Sequence, residues 1–372
     1  MRLHLIDPGR RSEVRRFVGL PFALYRGCAQ WVPPIRAEAA QVLDRRQHPF
    51  YLHSEAAFFL AEQGGETLGR IAVAENRTYN AHHGSRTAFF WAPEMVDDPA
   101  VARLLFDGAA AWARARGLDL LVGPKAPLLG EGSGLLVEGF EHRPAMGLGY
   151  HHPYYRGLVE GADLQKDTDY LTGRLLRQHH LPEAFFAAAD EAGAAHGYRA
   201  FAFSSRRQIR AFLPRFAAAY NEAFRTTINY MPLTDAEVRD GVERMLPVIE
   251  PRLVRLVMAG DEIAGFLIAY PDVSAALQRM GGRLWPLGWA ALLREKKRTR
   301  WANINGMGLL PEHRGTGANA VLYAALARSV GTVRFEGADV VQVDERNRAM
   351  VSNLTAIGVP WHHRHRVYRR PL

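Results

Sequence analysis

The order of structural signals along this chain is used twice, and that repetition constrains the fold more than any single residue. In the first half, residues 1–6 predict a strand and Arg10 to Arg26 a helix. Trp31-Val32-Pro33-Pro34 breaks the chain before a second helix from Ile35 to Arg46. A hairpin follows: Glu55 to Glu62, a Gly64-Gly65 turn, then Thr67 to Glu75. Thr87 to Trp91 predicts another strand. From Pro99 to Arg116, Val101, Leu104, Leu105 and Trp112 recur at helical spacing, and Gly117 stands where a C-cap glycine belongs. Leu118 to Val122 reads as a buried strand. After a glycine-rich stretch, Gly130 to Gly149, a helix near Tyr154–Glu160 and a strand near Asp169–Leu175 complete the half.

The second half repeats the order. Arg199 to Phe203 predicts a strand, and Ile209 to Phe224 a helix with Phe212, Phe216 and Tyr220 spaced four apart. Thr234 to Met245 predicts another helix, opened by the capping box of Thr234 and Glu237. Arg252 to Met258, Gly260-Asp261-Glu262 and Ile263 to Tyr270 form the second hairpin. Asn303 to Leu310, Asp339 to Val343 and Arg364 to Tyr368 predict strands, with helices from Ala318 to Val330 and Asn347 to Ile357 between them. The halves share element order without clear residue identity. With the boundary near residues 177–198, the expectation is two α/β (α+β) domains of mixed sheet, 1–180 and 181–372.

Composition narrows the class. The chain is 48% hydrophobic and 23% charged, which excludes collagen-like, disordered and coiled-coil architectures. A single cysteine, Cys28, excludes an internal disulfide framework and a cysteine-rich zinc site. No apolar stretch reaches bilayer length, and MRLHLIDPGRR carries no apolar core of signal-peptide type, so a cytoplasmic protein is expected. The formal charge is +9, carried almost wholly by arginine: the lysines are Lys125, Lys166, Lys296 and Lys297. The arginines are scattered rather than clustered, so no nucleic-acid partner is expected.

One segment carries chemistry: Met307 to Leu322, MGLLPEHRGTGANAVL. An apolar strand ends at Leu309-Leu310, Pro311 halts it, and a basic glycine turn leads directly into a helix. Gly315 and Gly317 let successive backbone N–H groups converge, and the helix start adds its own unpaired N–H groups. The pattern predicts a phosphate or pyrophosphate site built from Leu309, Leu310, His313, Arg314, Gly315, Thr316, Gly317, Ala318 and Asn319. Gly315, Gly317 and Ala320 also fit the dinucleotide pattern G-x-G-x-x-A. That fingerprint follows its strand almost at once and opens a series of βαβ units, for which too little chain remains. The structural alternative is a plain glycine turn before a surface helix.

This segment resembles the acyl-CoA pyrophosphate loop of the GNAT acyltransferase superfamily, Gln/Arg-x-x-Gly-x-Gly/Ala after a strand-ending proline. Gly315 and Gly317 match, and Glu312 stands in the Gln/Arg position. Downstream, Asn347 and Gly358 match the family's Asn-x-x-Ala-x-x-x-Tyr-x-x-x-Gly-Phe, whereas Leu354 replaces its tyrosine acid. HPFYLHSE, GRIAVAENRTYN and GSGLLVEGFEHRP look like a bacterial family with two GNAT domains, and the resemblance covers most of the chain. It implies two tandem GNAT-like domains, each a mixed, mostly antiparallel twisted sheet flanked by helices. It also implies an N-acyltransferase that moves an acyl group from acetyl-CoA or a longer acyl-CoA to a small-molecule amine. The matching loop of the first half falls at Ala92 to Pro99, where Asp97 and Asp98 would repel a pyrophosphate, so only the second half is expected to bind CoA. Asn305, Asp344, Glu345 and Asn347 are the catalytic candidates by position. A tRNA-dependent aminoacyl transferase of tandem GNAT fold and a non-catalytic acyl-CoA sensor are the alternatives.

Other features have blander readings beside them. Residues 271–300 are inserted between hairpin and strand and carry Leu284, Trp285, Leu287, Trp289, Leu292 and Leu293, then a basic run through Arg300. This segment reads as a lid over an acyl chain, as a membrane-interface helix across 284–300, or as a helical hairpin packed on the other half. His82-His83, His151-His152, His179-His180 and the group His362, His363 and His365 lack acidic or cysteine partners at ligand spacing, so no metal is expected. Gly130-Glu131-Gly132-Ser133-Gly134 reads as an anion nest or an interface loop.

Overall fold

A computed structural model describes residues 1–126, 132–176, 182–227, 229–331 and 334–372. Gly130-Glu131 of the expected nest and the His179-His180 pair lie outside the described residues. The first half runs β1 (Arg2–Leu5), α1 (Arg11–Leu24), α2 (Arg36–Gln41), β2 (Glu55–Gln63), β3 (Glu66–Glu75), α3 (Arg77–His83), β4 (Thr87–Met95), α4 (Pro99–Arg114), β5 (Leu120–Gly123), β6 (Leu135–Glu138), α5 (Tyr155–Glu160) and β7 (Gln165–Leu176). The second runs α6 (Glu183–His196), β8 (Tyr198–Ala202), α7 (Arg206–Phe224), α8 (Asp235–Met245), β9 (Val254–Ala259), β10 (Glu262–Pro271), α9 (Ser274–Met280), α10 (Gly288–Arg298), β11 (Trp301–Leu309), α11 (Ala318–Gly331), β12 (Gly337–Asp344), α12 (Arg348–Ala356) and β13 (Trp361–Pro371).

Local signals explain most of these elements. The capping box of Thr234 and Glu237 opens α8, and Asp98 caps α4 with Pro99 behind it. Val101, Leu105, Phe106 and Ala109 of α4 are fully buried against β2, β3 and β4, each large side chain contributing about 1.5–3 kcal/mol. The helix expected from Ile35 to Arg46 is shorter. It ends at Gln41 because the next amides fall back to three-residue spacing and the Asp44 carboxylate takes the Arg46 N–H at 2.9 Å. The presumed boundary segment contains α6, and the insertion contains α9 and α10.

Among the described residues thirteen strands join one sheet, in the order β1-β2-β3-β4-β5-β13-β7-β12-β11-β10-β9-β8, with β6 paired to β13. Among the described residues only β4·β5 and β11·β12 pair in parallel. The halves exchange their last strands. β7 closes the second half's sheet against β12, and β13 closes the first half's against β5, while β7 and β13 pair with each other from Gly173↔Trp361 to Gln165↔Arg369. Helices cover both faces, with α11 on one side of the second half's sheet and α7 on the other. No described helix is long and apolar enough to cross a membrane.

At the exchange seam Asp169 is 1% exposed. Its carboxylate accepts from Arg366 Nε at 2.8 Å and Arg364 Nη1 at 3.1 Å, and meets Lys166 Nζ at 2.9 Å. Burial pushes this carboxyl up, but hydrogen bonds from Arg366 and Lys166 outweigh burial and hold it below the usual aspartate range. Its contribution is therefore complete above that range and lost as pH falls through it. Asp169→Ala should cost about 3–5 kcal/mol in chemical unfolding at pH 7, because it strands buried cations. The gap from wild type should shrink as pH drops below about 4.

Candidate functional site

The site grows from a split between β11 and β12. Their parallel pairing runs from Trp301↔Gly337 to Ile304↔Val340 and then stops. Beyond it β11 follows β10 and β12 follows β7, each through a register shift. The two lips of the split carry left-handed residues, Gly306 at φ 103° and Gln342 at φ 57°. Glycine adopts this backbone freely, whereas Gln342 is strained there. Ser133 of the first half holds it, donating its N–H to Oε1 at 3.0 Å and accepting from Nε2 at 2.5 Å.

The predicted anion turn sits at the end of β11. Gly315 and Gly317 have φ of 77° and 85°, so both positions favour glycine. A Cβ on Gly317 would lie 2.5 Å from Ala192 Cβ, since α6 packs over the turn. The turn's own polar side chains are used as braces. Arg314 donates to Ala223 O at 2.7 Å and Thr226 Oγ1 at 3.3 Å. The Tyr198 hydroxyl meets His313 Nδ1 at 2.9 Å and Thr316 Oγ1 at 2.7 Å, and Thr316 donates to His313 O at 2.8 Å. Leu309 pairs with Gly265, and the Leu310 N–H donates to Ala264 O. Ala318 is buried, Asn319 half-buried and Glu312 exposed. Among the described residues no backbone carbonyl takes the amides of Gly315, Thr316 or Gly317. With the first amides of α11 they leave a group of main-chain donors, rather than side chains, open to a ligand.

The catalytic candidates are scattered. Asn305 stands at the register break, its Nδ2 3.4 Å from the Tyr270 hydroxyl. Asp344 accepts from Arg346 at 2.8 Å and Thr168 Oγ1 at 2.9 Å. Burial raises its pKa, yet the Arg346 and Thr168 hydrogen bonds prevail and hold it below the usual range. Glu345 meets Lys166 Nζ at 2.8 Å, and Asn347 caps α12 by accepting from Met350 N. Leu354, in the tyrosine position, packs with Val340, Val343 and Val359.

The corresponding place in the first half is filled. β4 and β5 pair from Thr87↔Leu120 to Phe89↔Val122, and then the Lys125 N–H donates to Phe90 O at 2.8 Å across the gap. The Met95 N–H donates to Tyr155 OH at 2.9 Å, the Val96 N–H to Leu68 O, and Asp98 caps the helix. Several histidines bind carbonyls, and the rings of His142, His362, His363 and His365 are neighbours. His82 and His83 donate to Arg225 O and Tyr230 O, and His363 and His365 to His142 O and Gly149 O. Among the described residues no metal-binding cluster forms.

One feature escaped the sequence reading. A cavity of about 370 Å³ is lined by Glu141, His142, Arg143, Arg174, Asp272, Trp301 and Asp339. Its residues come from distant segments, and the available signal was polar Asn303 and Asp339 inside apolar strands. In the insertion that the sequence marks, Trp285 is 80% and Leu287 74% exposed, so these side chains do not pack between the halves, while Leu292 joins Met146, Tyr270 and Val273. Tyr198→Phe removes the hydroxyl that braces the turn. It should cost about 1–2 kcal/mol in thermal unfolding and speed amide exchange at residues 313–317.

No family model matches the chain. It is 30% identical over 381 residues to the bacterial ceramide synthase of Caulobacter vibrioides, across 100% of this chain and 98% of that one. It is 23% identical over 369 residues to Protein YghO of Escherichia coli, across 97% and 94%. Among solved structures, a tandem GNAT protein from the clavulanic acid biosynthesis pathway superposes with a TM-score of 0.57 at 12% identity, covering 100% of this chain and 98% of that one. A GCN5-related N-acetyltransferase from Anabaena variabilis gives 0.53 at 9% identity, over 99% and 72%.

Proposed function

This chain belongs to the family of the Caulobacter ceramide synthase and is an acyltransferase of tandem GNAT fold; from that premise we propose that it joins a fatty acyl group from acyl-CoA to the amine of a long-chain amino alcohol. Ceramide is such an amide, and the full-length similarity to a protein of that name supports the acceptor class. The observation that carries the cofactor is the main-chain cradle at 315–317, next to a split between parallel strands. The pyrophosphate sits on those amides and on the start of α11, and the thioester enters the split. The amine nitrogen bonds to the thioester carbon, the C–S bond breaks, and CoA leaves with a proton. The second half (181–372) holds one CoA, and the first half (1–180), whose amides are spent on Tyr155 and Leu68, holds none.

Palmitoyl-CoA should raise the Tm and titrate to one site per chain. Gly315→Asp should abolish both effects. Gly315→Asn, which carries the same left-handed strain without the charge and faces the same open space, should keep most of both effects. Two equivalent sites would refute the asymmetry. Mass spectrometry of palmitoyl-CoA with sphinganine should show the N-acyl product, whereas CoA binding without product would make the chain a sensor.

The exposed strip Leu284, Trp285, Leu287, Trp289 and Leu293, beside exposed Arg294, Lys297 and Arg298, supports contact with a membrane surface, where both long-chain substrates reside. Anionic phospholipid vesicles should therefore sediment the protein. Trp285→Ala with Trp289→Ala should weaken this roughly tenfold, the result of losing about 1.4 kcal/mol of apolar burial.

A further inference from the structure

The sheet face opposite α11 carries a polar row at the base of the split. Side chains alternate along strands. Ala302, Ile304, Ala338 and Val340 face apolar clusters on the helix side. Trp301, Asn303 and Asp339 therefore project to the other face. Asn303 is level with Asp339, and Asp339 with Arg174. Asp339 is one residue short of the last parallel pair, so it stands just below the opening that receives a thioester. The first half's loop, through Glu141, His142 and Arg143, roofs this row and leaves the cavity of about 370 Å³.

Several polar groups in this region have no hydrogen-bond partner among the described residues. Asn303 is fully buried, and neither its Oδ1 nor its Nδ2 is bonded. Both ring nitrogens of His362 and Oδ1 of Asp339 are in the same condition, with His362 Nε2 3.4 Å from that oxygen. The other carboxylate oxygen is fixed, accepting from Trp301 Nε1 at 2.9 Å. Of the cations nearby, Arg143 pairs with Asp272 at 3.3 Å, and Arg174, level with Asp339, lies over the Trp301 ring with its Nε unbonded. Buried polar groups are normally satisfied. An oriented carboxylate whose second oxygen has only the His362 ring near it, beside an unbonded amide, matches an ammonium with a neighbouring hydroxyl.

We propose that this cavity is the subsite for the polar head of the acceptor, and that Asp339 Oδ1 takes the proton that frees the attacking amine. The proposal rests on the acyl-transfer reading and names its amine site. The ammonium gives one proton to Asp339. The neutral nitrogen then bonds to the thioester carbon, the C–S bond breaks, and the thiolate takes the second amine proton and leaves as CoA thiol. Asp339 returns its proton to water. Burial raises the Asp339 carboxyl to about 6, against the Trp301 hydrogen bond and the charge of Arg174, with Asp272 adding to the rise. A proton acceptor working near neutral pH needs such a value. His362 and His363, pushed by burial to about 3 and about 4, stay neutral beside it.

Calorimetry with sphinganine alone tests the site without CoA. Wild type should bind, and isosteric Asp339→Asn should bind at least about tenfold more weakly while keeping its palmitoyl-CoA affinity. In the acylation assay Asp339→Asn should lose about 100-fold or more in kcat/KM for sphinganine, together with the acid limb of the pH profile. Unchanged amine affinity in Asp339→Asn, or no amine binding by wild type, overturns the proposal. If wild type binds no palmitoyl-CoA, the acyl-CoA reading fails, and the amine titration still decides the cavity.

Discussion

The carboxylate of Asp169, buried between Arg364, Arg366 and Lys166, holds the seam on which the molecule depends. It sits where β7 and β13 cross into each other's sheets. Neither half completes its sheet from its own sequence, so the halves cannot part as two hinged domains would without breaking two rows of strand pairing. A charge this deep is tolerated because three cations and geometry near ideal surround it. The same strand anchors the first half's loop over the second half's sheet. His363 and His365 of β13 hold the carbonyls of His142 and Gly149, and burial keeps both imidazoles neutral.

The two halves of the repeat differ where their parallel strands part. In the first half the split closes at once on the Lys125 amide, and the Tyr155 hydroxyl and the Leu68 carbonyl accept from the Met95 and Val96 amides. Its contribution is made in trans. Ser133 holds the strained Gln342, and His82, Lys125 and His83 donate to the carbonyls of Arg225, Asn229 and Tyr230. Burial lowers the Lys125 ammonium to about 8, which fits a cation serving as a hydrogen-bond donor inside the interface. These contacts tie the first half to the second.

Within the second half, side chains and main chain divide the work. Arg314, His313 and Thr316 turn inward to stiffen the glycine turn, so the amides are presented without rearrangement. Across the sheet, Trp301 orients Asp339 in the same way. Preorganised groups lose little entropy on meeting a ligand.

The sequence by itself determined what depends on neighbours a few residues apart. The Thr234–Glu237 box, the Asn347 cap, the hairpins and the strand–glycine–helix turn are local, and their hydrogen bonds close within one turn of chain. Element order also carried the tandem fold. Tertiary structure alone decided what depends on distant partners. The sequence marks β7 and β13 as strands but cannot say that each completes the other's half, because backbone pairing is blind to side-chain identity. Asp344 read as a catalytic candidate from its place on a strand, yet Arg346 and Thr168 engage it. Asp339 carried no motif, because its cavity exists only once β7, β11, β12 and the loop at residues 141–143 converge. A carboxylate's chemistry is set by its surroundings, and those are assembled by folding.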